Sequence, residues 1–127
     1  MPRILVVDDD DSFRKMLRLT LVKLGHEVRE ARNGLEAVTL YEEEPADLMI
    51  TDIIMPEQDG LETIRLMRRA HPSLKIIAMS GGGRVNATDY LKIANSMKAN
   101  RVLAKPFKIE EIAAILSDLL SEPKAAS

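Results

Sequence analysis

Cysteine is absent from this chain of 127 residues. That excludes disulfides, thiolate metal sites and thiol catalysis. An excess of basic residues is also missing: the net charge is −2 and the pI near 5.7. A nucleic-acid surface would need such an excess. The densest basic stretch, "RLMRRAHP" with Arg65, Arg68 and Arg69, reads as a solvated helix face. No apolar run approaches the roughly 18 residues of a membrane span. The apolar stretch Ile4–Val7 is too short for a signal peptide and runs straight into acids. The expectation is a soluble cytoplasmic protein with no nucleic-acid and no membrane contact of its own.

What is present has the length of one domain, read as residues 1–121 with a small, polar, flexible tail over 122–127. Short aliphatic runs at Ile4–Val7, Val28–Ala31, Leu48–Thr51, Lys75–Met79 and Val102–Ala104 alternate with stretches of helical period. Phe13, Met16, Leu17, Leu21 and Leu24 form one stripe, stopped by Gly25. Asn33 caps a second helix carrying Leu35, Val38 and Tyr41, closed by Pro45. A third carries Leu61, Ile64 and Met67 and ends near His71-Pro72. A fourth runs from about Asn86 to Lys98, and a fifth has Ile109, Ile112, Ala113, Leu116 and Leu119 on one stripe. Strand then helix, five times over, requires a parallel sheet covered on both faces. Most methionines read as core filler, among them Met16, Met49, Met67, Met79 and Met97. His26 and His71 read as exposed residues near helix ends.

One stretch resists that bland account. Ile4–Val7 is followed by four acids, Asp8 to Asp11. Asp10 and Asp11 suit the start of a helix, where carboxylates meet free N–H groups and the positive end of the dipole. Asp8 and Asp9 fall at the carboxyl end of a strand, where ligands sit in open α/β sheets at the point of reversal. With the reversal between the first and third strands, they would face Asp52, which ends "LMITD". Three carboxylates in one crevice repel, and a hard divalent cation such as Mg²⁺ relieves that. The fourth strand ends in Ser80 and the fifth in Lys105. Each alone reads as an ordinary turn or surface residue. Together, carboxylates, a hydroxyl and an ammonium group along one rim are the equipment for holding a phosphoryl group on a carboxylate.

"ILVVDDD", "DLMITDIIMPEQDGLE", "KIIAMSG" and "LAKPF" together resemble the receiver domain of bacterial two-component response regulators, of the kind typified by chemotaxis regulators. The resemblance runs from Arg3 to about Leu120. It implies a flavodoxin-like, doubly wound (βα)5 fold, a five-stranded parallel sheet with strand order 2-1-3-4-5. It implies that Asp52 is the phosphoacceptor, fed by a sensor histidine kinase or a phosphotransfer protein. Asp9 would hold Mg²⁺ (or Mn²⁺) directly and Asp8 mainly through water. The backbone carbonyl of Ile54 would complete the protein's share. Ser80 matches the switch hydroxyl and Lys105 the lysine that contacts the phosphoryl group. Met55-Pro56 and Asp59-Gly60 match the turn after the acceptor, and Lys105–Pro106 a bond that is usually cis. The output would be a downstream protein or a linked output domain, reached through the fourth helix, fifth strand and fifth helix; the same face would serve a homodimer. Such a domain is a signalling module, catalysing only its own phosphoryl transfer and autodephosphorylation.

Two features depart from the family pattern. Val102 stands where a rotating Tyr or Phe is common, and aromatics are only 3% of the chain, leaving Tyr90 as the nearby substitute. Three glycines, Gly81 to Gly83, follow Ser80 and lengthen that loop. Ile54 and Gly82 offer no side chain to orient an attacking water, so slow dephosphorylation is expected. Two rivals remain. A Mg²⁺-dependent phosphatase with Asp52 as nucleophile would want an acid two positions later, where Ile54 stands. A scaffold that binds partners without phosphorylation would not need Asp8, Asp9, Asp52, Ser80 and Lys105 together.

Overall fold

The computed structural model describes residues 2–52, 60–80, 99–105 and 107–121. Five strands are present: β1 (Arg3–Val7), β2 (Glu27–Ala31), β3 (Leu48–Asp52), β4 (Lys75–Ser80) and β5 (Arg101–Ala104). Among the described residues there are four helices: α1 (Asp11–Lys23), α2 (Gly34–Glu43), α3 (Gly60–Ala70) and α4 (Ile109–Ser121). The strands pair in parallel in the order β2-β1-β3-β4-β5, the doubly wound arrangement expected. The predicted fourth helix with Tyr90, the loop with Gly81 to Gly83, Ile54, Met55-Pro56, Pro106 and the tail lie outside the described residues, so α4 corresponds to the fifth helix predicted from sequence.

The central strands β1 and β3 are buried on both faces, whereas the edge strands β2 and β5 are partly exposed. In β1, Ile4, Leu5, Val6 and Val7 are all buried, although alternate side chains must point opposite ways. Leu5 and Val7 join a core with Tyr41 of α2 and Ile64 and Met67 of α3. Ile4 and Val6 join another with Leu17 and Leu21 of α1 and Ile112 and Leu116 of α4. Burying each such side chain contributes about 1.5–3 kcal/mol.

The helix ends follow local chemistry. Asp10 caps α1, its Oδ1 accepting the Phe13 N–H at 3.1 Å, and Asp11 lies in the first turn. Gly25 closes α1 at φ 97°. Its N–H donates to the Val22 carbonyl and the His26 N–H to the Leu21 carbonyl, a Schellman closure that needs a left-handed residue. Asn33 caps α2, accepting the Glu36 N–H at 2.9 Å.

Some expectations need correction. The inward face of α1 carries Arg14, Leu17 and Leu21, whereas Met16 is 52% exposed and Leu24 39%. The predicted stripe was rotated because a charged residue occupies an inward position that periodicity assigns to apolar ones. Met49, Met67 and Met79 are core residues as expected. Arg68 does not lie free on a solvated face: it donates to the carbonyls of Pro72 and Leu74 and to Asn100 Oδ1. His26 and His71 are half-buried rather than exposed, with His71 packed against the Tyr41 ring at 4.2 Å.

Candidate functional site

Strand register assembles the site. Val7 pairs with Thr51, so the next residues, Asp8 and Asp52, end neighbouring strands side by side. Asp52 pairs with Met79, and Ser80 with Ala104, which sets Lys105 one step beyond. The residues picked out at the strand ends therefore come to one rim because the ladders are parallel and in step. The Ser80 hydroxyl and the Ile54 carbonyl lie outside what is described.

Asp8, Asp9 and Asp52 each offer a carboxylate oxygen, all within 4.8 Å of one another. Asp8 is fully buried and Asp52 only 7% exposed, while Asp9 faces solvent. Both oxygens of Asp8 are engaged. Oδ1 accepts the Asp10 N–H at 2.9 Å and Oδ2 accepts from Lys105 Nζ at 2.6 Å. The same ammonium lies 3.3 Å from Asp52 Oδ2. Burial opposes the charge on Lys105. The hydrogen bond to Asp8 and the charges of Asp8 and Asp52 outweigh it, so its pKa is held above the usual 10.5. One ammonium against three carboxylates still leaves the cluster negative. An all-oxygen donor set of this kind fits a hard divalent cation better than a soft one.

Two parts of the site were not marked by sequence reasoning. Arg14 donates through Nη1 to the Asp8 carbonyl at 2.7 Å, through Nε to Glu30 at 3.0 Å and through Nη2 to Asp11 at 2.6 Å. It ties the end of β1 to β2 and to the first turn of α1. The available signal was an arginine at a helical position that points inward. Phe13 belongs by periodicity to the stripe of α1, yet its ring carries the Lys105 ammonium at 4.1 Å from the centroid. Phe107 meets that ring edge to face, at 5.9 Å and 89°. Val102, where the sequence departs from pattern, is half-buried against the core shared with α2 and α3.

Residues 4–117 match the family model for the response regulator receiver domain. The response regulator receiver protein CpdR of Brucella abortus is 36% identical over 112 residues, 88% of this chain and 91% of that one. The DNA-binding transcriptional regulator NtrC of Azospirillum brasilense is 35% identical over 125 residues, 97% of this chain but 25% of its own length. The chain is thus similar to nearly all of one relative and to a quarter of another. Among solved structures, the response regulator TrrA of Thermotoga maritima in complex with Mg²⁺-BeF superposes with a TM-score of 0.82 at 33% identity, covering 94% of this chain and 99% of that one.

Proposed function

The chain belongs to the response regulator receiver domain family, and on that premise we propose that Asp52 is its phosphoacceptor. The observation that carries the assignment is the meeting of Asp8, Asp9 and Asp52 with Lys105 at the ends of three strands. A carboxylate oxygen of Asp52 forms the new O–P bond as the N–P bond of a donor phosphohistidine breaks. The electron pair of the broken bond returns to the departing imidazole. Lys105, already beside Asp52, meets the charge on the phosphoryl oxygens. Ser80 is proposed to donate a hydrogen bond to one of them and so begin the switch.

Asp8, Asp9 and Asp52, with the carbonyl of Ile54, would hold Mg²⁺. The ion supplies neutralisation of the phosphoryl oxygens and a template for their orientation. Buried Asp8 fixes the floor of the site through Asp10 and Arg14; exposed Asp9 is reached from solvent. Hydrolysis restores the carboxylate when water attacks phosphorus, and Ile54 and Gly82 give no side chain to orient that water, so the phosphorylated form is long-lived.

The donor is a sensor histidine kinase or a phosphotransfer protein in the cytoplasm. The reader is a downstream protein or a linked output domain, without direct nucleic-acid contact from this chain. NtrC, by its name a DNA-binding regulator, is the kind of longer relative that supports a linked output.

Intact mass after incubation with acetyl phosphate and Mg²⁺ tests the assignment. Wild-type protein gains one phosphoryl group; Asp52→Ala gains none, and withholding Mg²⁺ abolishes the gain. An equal gain in Asp52→Ala overturns it.

A further inference from the structure

Both phenylalanines of the chain stand at the lysine. Phe13 comes from the first turn of α1, and Phe107 lies two residues after Lys105. The Lys105 ammonium is 4.1 Å from the Phe13 centroid, 2.6 Å from Asp8 and 3.3 Å from Asp52. Its side chain is only 18% exposed, so the ring face takes a place that water would otherwise fill. Phe107, perpendicular to Phe13, holds the ring in that attitude.

We propose that Phe13 is a positioning residue whose ring face holds the Lys105 ammonium over the gap between Asp8 and Asp52. The inference rests on the reading of Lys105 as the group that meets the phosphoryl oxygens. A carboxylate binds an ammonium along particular lone-pair directions. A ring face attracts it through its quadrupole, with little demand on direction. Lys105 can therefore slide from Asp8 toward Asp52 without leaving the ring. A leucine would fill much of the same volume against the core of α1 and α4, but it has no quadrupole. The lysine would then be free to extend toward water, as long cationic side chains do.

Two consequences have opposite signs. With Lys105 loosened, a divalent cation meets a weaker internal competitor for Asp8, so Mg²⁺ binds more tightly. With the ammonium no longer held near Asp52, phosphoryl transfer slows. Loss of structure alone would weaken both together.

The test compares wild type, Phe13→Leu and Phe13→Tyr. In proton NMR of the wild type, the methylene protons next to the Lys105 ammonium resonate upfield of those of exposed lysines, because they lie over a ring; in Phe13→Leu that shift is gone. Titration with Mg²⁺ alone shows tighter binding in Phe13→Leu, by about 2- to 5-fold. The rate of phosphorylation by acetyl phosphate at saturating Mg²⁺ falls by about 3- to 10-fold. Phe13→Tyr, which keeps a ring face, stays within about 2-fold of wild type in both. Should Phe13→Leu fail to fold, phenylalanine carrying one to three ring fluorines at position 13 replaces it, and the effects then grade with fluorine number. Absence of the upfield shift in the wild type, unchanged Mg²⁺ affinity in Phe13→Leu, or a parallel fall in affinity and rate that Phe13→Tyr shares, overturns the inference. A wild type that takes no phosphoryl group defeats the reading of Asp52 instead, and the NMR and Mg²⁺ measurements still decide the role of the ring.

Discussion

The Lys105 ammonium lies closer to Asp8, at 2.6 Å, than to Asp52, at 3.3 Å. The acid it holds most tightly is the fully buried one, not the proposed phosphoacceptor. Without a metal the lysine is the cation nearest both carboxylates among the described residues. It stabilises the resting site, and the proposed function requires it to turn toward Asp52 once a phosphoryl group is there.

Removing that ammonium should therefore be costly, and the cost should be reversible by metal. Lys105→Met leaves Asp8 buried without its ion-pair partner, a loss of about 3–5 kcal/mol for a pair of this kind. A cation bound only to the folded state returns about 2.7 kcal/mol at a hundredfold excess over its Kd. Urea unfolding with and without MgCl2 should show a larger gain from Mg²⁺ in Lys105→Met than in wild type. Equal gains would mean that lysine and metal do not compete for the carboxylates.

Arg14 is a second support of the same floor. Its fork serves the Asp8 carbonyl, Glu30 and Asp11 at once. Glu30 has a further partner in Arg18, at 2.7 Å; the described contacts of the Asp8 carbonyl come from Arg14. Arg14→Leu should lower stability by about 1–3 kcal/mol, the cost of a buried acceptor left unpaired. Arg14→Lys should recover little of it, because one ammonium cannot reproduce a planar fork. Equilibrium denaturation of the two variants decides this; full recovery by lysine would reduce Arg14 to a local charge.

Gly25 tests the folding logic away from the site. Its φ of 97° closes α1, and a Cβ added there would meet nothing within 4 Å. Any penalty in Gly25→Ala is therefore conformational rather than steric crowding. About 1–2 kcal/mol of destabilisation is expected from forcing an L-residue into that region. Thermal unfolding of Gly25→Ala beside wild type measures it, and an unchanged midpoint would remove the backbone argument.

Sequence pattern alone carried the strand positions, the caps at Asp10 and Asn33 and the stop at Gly25, because each depends on residues within a few positions. The rim of Asp8, Asp52, Ser80 and Lys105 was also legible, since residues at the carboxyl ends of parallel strands must share an edge. The strand order came with the family resemblance; periodicity does not contain it. What sequence hid was the rotation of α1. Arg14 takes an inward place where the Asp8 carbonyl just past β1, Glu30 on β2 and Asp11 in the first turn of α1 accept from its fork. Likewise, Phe13 meets Lys105, 92 positions later in sequence, only through the tertiary fold. Local pattern cannot report a contact made by two distant elements.

His26 gives the fold a measurable acid sensitivity. The residue is half-buried beside Val22 and Val28 in a cleft of about 530 Å³ that Glu27 and Glu44 also line, at the end of the sheet remote from Asp8, Asp9 and Asp52. Its Nδ1 is buried without a hydrogen-bond partner among the described residues. Burial therefore lowers its pKa below the usual 6.5. A lowered pKa means that the folded state binds the proton less readily than the unfolded chain does. Stability from this group is complete above about pH 6.5, the value in an unfolded chain. It declines as pH falls toward the folded value and then levels off. His26→Gln removes the titrating group, so the stability of the variant should change less than that of wild type over the same interval. The comparison is made by urea unfolding at several pH values between neutral and mildly acid, at fixed ionic strength. Parallel curves for the two proteins would show that His26 carries its proton equally well in both states, and that the carboxylates alone set the acid limb.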